Sequence, residues 1–224
     1  MFVEIRWDPA WGTLAAGWML LNGGSNPPVS EALEAECRRG EEELRGKHGG
    51  ADRGALKELP VYRDYEAYYR RFGKSYHVRL QLESILKGKK VPPVSALVTP
   101  LFLAELETGV LSAGYDPLRL AFPLEARPGR EGETYQLLGK GRDQTVVPGD
   151  LTLADQRGVV GTILHGPDQR TCLDGESRAA LYVVYPVPGL RAETVHRHLD
   201  RVRDLVRLAL PGAAEEGREV LEGA

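Results

Sequence analysis

Apolar and polar side chains alternate in "FVEIRW" (residues 2–7), the period of a strand, and "DPAWG" breaks the pattern. "TLAAGWMLLNGG" (13–24) is an apolar run closed by Asn-Gly-Gly and predicts a buried strand. A helix is predicted to start near Ser30, a favoured N-cap type, within "SNPPVSEALEAECRRGEEELRGK". With six acidic and four basic residues, that segment reads as a solvated surface helix. "HGGADRGALKELP" reads as a loop. Residues 61–90 fit two helices, one from about Asp64 to Phe72 with a stop at Gly73, the other from about His77 to Lys87 with a stop at Gly88. Leu80, Ile85 and Leu86 are expected to face inward.

The stretch "SALVTPLFLAELETGVLSAGYD" (95–116) predicts an apolar helix ending at Gly109. Pro100 is tolerated only in a first turn, which makes Thr99 the expected N-cap. A turn of small residues, Ser112 to Tyr115, is expected to follow and to close at Asp116. Beyond it lie short β-prone runs between Gly, Pro and Asp: "LAFPLEAR", "ETYQLL", "DLTLAD", "VVGTIL" and "AALYVVYPV", with "ADQRGV" as a hairpin turn. Val195, Leu199, Val202, Val206 and Leu210 then recur at helical spacing until Pro211-Gly212. The pattern predicts an α+β fold: one domain over 1–212 with a central mixed or antiparallel sheet flanked by helices, and a frayed tail over 213–224.

Composition changes this picture little. The 224 residues suffice for one sizeable core, and a net charge of −3 argues against non-specific coating of nucleic acid or anionic membrane. No run approaches a membrane span, and the N-terminal residues lack a basic start and an apolar signal core. Cys37 and Cys172 match no metal spacing and no disulfide framework, so the expectation is a cytoplasmic protein with reduced thiols.

The chemistry-bearing candidates are few. His196 and His198 are two apart on a helix and point to different faces, so no metal is expected, and no motif cradles a nucleotide phosphate or implies a cofactor. "GKGRDQ" reads as a turn. His165 sits at a predicted strand end, directly before Gly166-Pro167, where a side chain can emerge beside a site. Residues 61–90 carry eight Lys/Arg against three Asp/Glu, with six interleaved aromatics. That composition fits phosphate contact with base stacking, or equally a helical hairpin with tyrosines inward and cations solvated.

"YRDYEAYYRRFGKSYHVRLQLESILKGKKVPPVSALV", "ETGVLSAGYDPLRL", "EARPGREGETYQLLG" and "VVPGDLTLADQRGVVGTILHGPDQRT" together resemble, in order and spacing, the free-standing form of the B3/4 domain of the phenylalanyl-tRNA synthetase beta subunit. The resemblance covers roughly residues 61–190. It implies a central sheet, flanking helices and a pocket that in the synthetase hydrolyses wrongly attached tyrosine from the tRNA. It also marks departures. Ser95, Thr99 and Phe102 stand where the family often has Asn, Asp and Asn, and Ala113 stands where the synthetase has a histidine. Apolar "LYVVY" replaces a segment that carries a glutamate there.

On this reading the chain is a trans-acting editing protein that binds the acylated end of tRNA and hydrolyses a mischarged ester. Tyr115 and His165 would orient water or the terminal ribose. Ser95, Thr99, Ser112, Gly114 and Gly166 would form the acyl pocket. Arg70, Arg71, Lys74, Arg79, Lys87, Lys89 and Lys90 would meet phosphates. The alternative is a non-catalytic RNA- or amino-acid-binding module that kept the fold and lost the chemistry.

Overall fold

The computed structural model describes residues 2–51 and 53–223. In chain order the elements are β1 (Ile5–Trp7), α1 (Pro9–Gly12), β2 (Ala16–Asn22), α2 (Glu31–His48), α3 (Arg53–Lys57), α4 (Pro60–Arg70), α5 (His77–Leu86) and α6 (Thr99–Thr108). They continue with β3 (Ser112–Tyr115), β4 (Leu124–Pro128), β5 (Thr134–Gln136), β6 (Asp143–Thr145), β7 (Leu151–Asp155), β8 (Gly158–Thr162), β9 (Gly166–Pro167), β10 (Ala179–Val184), α7 (Ala192–Ala209) and β11 (Ala214–Leu221).

The helices form where caps and spacing ask for them. Ser30 Oγ accepts from Leu33 N at 3.3 Å, and α2 has Glu31 and Glu34 in its first turn and Arg45, Lys47 and His48 in its last. α2 packs on α5, α6 and α7. α4 starts four residues earlier than expected because Pro60 occupies its first turn, the one place a helix accepts proline. α5 buries Val78, Leu82 and Ile85, while Leu80, expected inside, is 43% exposed. α6 ends at Gly109, whose φ of +74° is the left-handed conformation that favours glycine. Thr99 is the first residue of α6 rather than its cap. Its Oγ1 accepts from Val94 N at 2.8 Å and donates to Pro92 O at 3.2 Å, so it ties down the preceding loop.

The tyrosines of the basic block are structural. Tyr62, Tyr65, Tyr68, Tyr69 and Tyr76 are at most 5% exposed, and the Tyr65 and Tyr76 rings stack at 4.8 Å. Their hydroxyls donate inward: Tyr62 to Leu106 O at 2.8 Å, Tyr65 to Tyr185 O at 2.6 Å, Tyr68 to Asp150 Oδ1 at 2.7 Å and Tyr76 to Gly109 O at 3.0 Å. These rings are spent on the core and on satisfying buried carbonyls, so base stacking by them is ruled out.

The β structure is divided. A five-stranded sheet has the order β1-β4-β7-β8-β9, a four-stranded sheet the order β11-β2-β10-β3, and β5-β6 is a separate hairpin. Among the described strands only β1 and β4 pair in parallel, so the architecture is α+β with a mixed sheet. The expected turn at Ser112–Tyr115 is strand β3, which fills the free edge of β10 in the register Leu181↔Tyr115 to Val184↔Ser112. The segment that follows β9 is tied to the end of β3, through the Tyr115↔Cys172 bridge and Asp116 N to Thr171 O at 2.8 Å.

The expected frayed tail is corrected too. Residues 214–221 form β11 along the outer edge of β2, from Ala214↔Asn22 to Leu221↔Ala16. Trp18 Nε1 donates to Glu219 Oε2 at 2.9 Å, and Arg218 Nη1 reaches Asp200 Oδ1 of α7 at 2.8 Å. The last residue of that tail, Ala224, lies outside the described residues.

Candidate ligand-binding site

α6 forms one wall of a cavity. A cavity of about 440 Å³ lies between α5, α6, β3 and the β8–β9 turn. α6 contributes Val98, Leu101, Phe102 and Glu105, and β3 contributes Ser112, Ala113 and Gly114. Thr162, Ile163, Gly166 and Pro167 form the opposite side, with His77 and Gln81 from α5 and Leu173 beyond β9. Val94, 54% exposed, and Leu138, 43% exposed, stand at the rim. Leu138 N donates to Pro167 O at 3.1 Å, which pins the β5–β6 hairpin beside the mouth.

Of the residues expected here, Ser112, Gly114 and Gly166 line the cavity. Gly114 lies close to Leu173: a Cβ there would sit 2.9 Å from Leu173 Cδ1, so any larger residue would push that side chain aside. Ser95 and Thr99 are absent from its wall. Ser95 Oγ accepts from Val98 N at 3.3 Å, and both residues shape the start of α6.

Tyr115 lies behind the wall, fully buried, its hydroxyl 2.5 Å from that of Tyr185. Burial pushes its phenol far above the ordinary range. His165 is half-buried beside the cavity, and its Nε2 lies 3.2 Å from Lys74 Nζ. Burial first, and then the Lys74 charge, holds its imidazole below the ordinary value.

Arg79 belongs elsewhere. It is 3% exposed, Nε donates to Glu66 Oε2 at 3.1 Å, and Nη1 donates to Glu83 Oε1. A guanidinium held by two buried carboxylates has no donor left facing solvent phosphate, which corrects its assignment to an RNA surface. Arg70, Arg71, Lys74, Lys87, Lys89 and Lys90 are exposed. Arg71 stacks over Phe72, with its guanidinium carbon 5.5 Å from the ring centre.

Two polar groups at the site were not among the site residues expected from the sequence. Glu105 is 4% exposed, and Oε1 accepts from Ser112 N at 2.9 Å. Burial pushes its carboxyl up to about 8, against the smaller opposing effect of Ser112. His198 of α7 is fully buried and reaches Ser112 from the far side, with Nε2 2.8 Å from Oγ.

The network assigns the protons. Thr108 Oγ1 donates to Ala104 O at 2.7 Å and therefore accepts from His198 Nδ1 at 2.9 Å. Nε2 is then the acceptor, and the Ser112 hydroxyl donates to it. The 3.3 Å contact between Ser112 Oγ and Glu105 Oε1 competes for the same proton. Burial holds the imidazole of His198 down to about 3, so it is neutral. Glu105 had a sequence signal: an acid three residues after Phe102, on the apolar face of the helix.

Among the described residues, no group of three His, Cys, Asp or Glu is placed to hold a metal ion. Cys37 and Cys172 are buried free thiols. No described helix is long and apolar enough to cross a membrane.

Fold and cavity together define an α+β domain with one mixed and one antiparallel sheet and a largely apolar pocket under one helix. No family model matches the sequence, and no curated protein matches it. Among solved structures it is similar to an N-terminal fragment of the phenylalanyl-tRNA synthetase beta subunit from Pyrococcus horikoshii, with a TM-score of 0.54 at 10% identity. The match covers 98% of this chain and 54% of that one, so the chain spans about half the length of the fragment. The likeness is one of fold.

Proposed function

We propose that this chain is a B3/4-like recognition module, whose pocket holds an apolar amino acid or aminoacyl group without hydrolysing it. One observation carries this reading: the pocket wall is mostly apolar, and neither Tyr115 nor His165 is part of it. The resemblance to the synthetase beta subunit supports a tRNA-borne ligand. The exposed Lys87, Lys89 and Lys90, on the loop leading to Val94 at the rim, suit contact with its backbone.

A second reading, editing in trans, is favoured by the Ser112–His198 pair. Its serine lies on the pocket wall with its proton directed at a neutral imidazole. Hydrolysis by that pair would form an imidazolium where burial opposes one and only Thr108 supports it, which ranks this reading second.

The test is a panel of mischarged tRNAs incubated with purified protein, beginning with tyrosine-charged phenylalanine tRNA. Both complex formation and ester loss would be followed. Binding with ester loss at the spontaneous rate is expected. Faster loss, abolished in Ser112→Ala, would replace the first reading with the second.

A further inference from the structure

We propose that Glu105 is the pocket's receptor for a primary ammonium group, and that the ligand is an apolar amine carrying no free carboxylate. This rests on the reading of the cavity as a ligand site and narrows its ligand. The argument begins with hydrogen bonds. Oε1 of Glu105 is taken by Ser112, whereas Oε2 has no protein partner among the described residues while the side chain lines the cavity. A carboxyl oxygen left open on a cavity wall is a place for a polar group of a ligand, an acceptor while the acid keeps its proton and a donor once it is ionised.

The charges around it decide which group. From α5, His77 faces the same cavity, and burial holds it neutral, down to about 4. From α7, His198 is neutral and already engaged. Tyr62, Tyr65 and Tyr76 keep their protons and donate to backbone carbonyls; Tyr185 keeps its proton too and pairs with the Tyr115 hydroxyl. No Lys or Arg lines the cavity. Ionised Glu105 would thus be a buried charge without a partner, which is why its acid form persists to about 8.

A ligand ammonium supplies the missing partner. It also approaches the last turn of α6, where the helix dipole favours a cation. A ligand carboxylate would meet the opposite situation, with apolar walls, a carboxyl neighbour and no cation. A free amino acid is disfavoured for that reason. An amino acid whose carboxyl is esterified, or an amine lacking it altogether, is not.

Binding near neutral pH balances as follows. The protonated carboxyl of Glu105 loses its proton to buffer, the ligand enters as its ammonium, and the ion pair forms with about one proton released per site.

The experiment is calorimetric titration at pH 7 in two buffers of different ionisation enthalpy. The probes share one apolar body: 2-phenylethylamine, 2-phenylethanol, 3-phenylpropionate and phenylalanine. The amine is expected to bind at least tenfold tighter than the alcohol, with both carboxylates weakest. About one proton should be released with the amine at pH 7, and almost none at pH 9.5. In Glu105→Gln, checked for folding by circular dichroism, the preference for amine over alcohol should disappear. The proton count in the unaltered protein is independent of how that variant folds. Equal binding of amine and alcohol, or no proton release, overturns the role of Glu105 and leaves the pocket reading standing. Tighter binding of a carboxylate also overturns it. No binding by any probe overturns both.

Discussion

Arg79 shows how far a residue's chemistry depends on where its helix puts it. By composition it is one of eight cations in a basic block. By position it is the buried hub between Glu66 of α4 and Glu83 of α5, and Glu66 Oε2 also accepts from Tyr76 N at 3.0 Å. Removing one partner from a buried ion cluster leaves uncompensated charge, which costs about 3–5 kcal/mol. Arg79→Met is therefore expected to lower the urea-unfolding free energy by that amount. Lys87→Ala, exposed and outside the cluster, should stay within about 0.5 kcal/mol of the unaltered protein. The same distinction explains why the site was only partly legible. Ser112, Gly114 and Gly166 could be named because the resemblance implies a pocket at those segments, though Ser95 and Thr99, named with them, lie outside its wall. Glu105 was overlooked because the resemblance points to Ser95, Thr99 and Phe102 near the start of its helix, although an acid on an apolar face is itself a signal.

At the scale of elements, the helices and most of the strands were readable, but β3, β6, β9 and β11 were not. α2, α5 and α7 carry their own signals: a Ser30 cap, a Gly88 stop, and Val195, Leu199, Val202 and Val206 at helical spacing, all fully buried. β3 has no such signal. "SAGY" has little β preference of its own, and is extended because β10 offers it an edge. β11 is similar: "AEEGREVL" is mostly charged, and its pairing with β2 is held by Trp18–Glu219 and Arg218–Asp200, contacts across some 200 and 18 residues. A chain truncated after Gly212 would leave the outer edge of β2, six of whose seven residues are buried, without a partner. Such an edge templates association. The truncated chain is expected to elute as oligomers on size exclusion, and the amides of residues 16–22 should lose hydrogen-exchange protection.

Across the whole molecule, buried titratable groups pull stability in opposite directions. His77 and His198 are held to about 4 and about 3 in the folded chain, against an ordinary 6.5, so the stability they contribute is lost as pH falls below 6.5. Glu105 and Asp150 are raised, to about 8 from 4.5 and to about 6 from 3.8, so their contributions fall as pH rises through those windows. Between about pH 7 and 8 Glu105 is the dominant titrating group of these four, and stability should decline there by less than about 1.4 kcal/mol per pH unit. Chemical denaturation at a series of pH values should show that decline, and Glu105→Gln should flatten it. The strand order has a consequence of another kind. β2 is complete by residue 22, yet both of its neighbours, β10 and β11, begin only at residues 179 and 214. A ribosome making this chain exposes Trp18, Met19, Leu20 and Leu21 with neither edge covered, and at about 5–20 residues per second the wait lasts on the order of ten seconds or more. The demand this fold makes on the cell thus falls on biosynthesis, in the interval when an early apolar strand needs shelter from a chaperone.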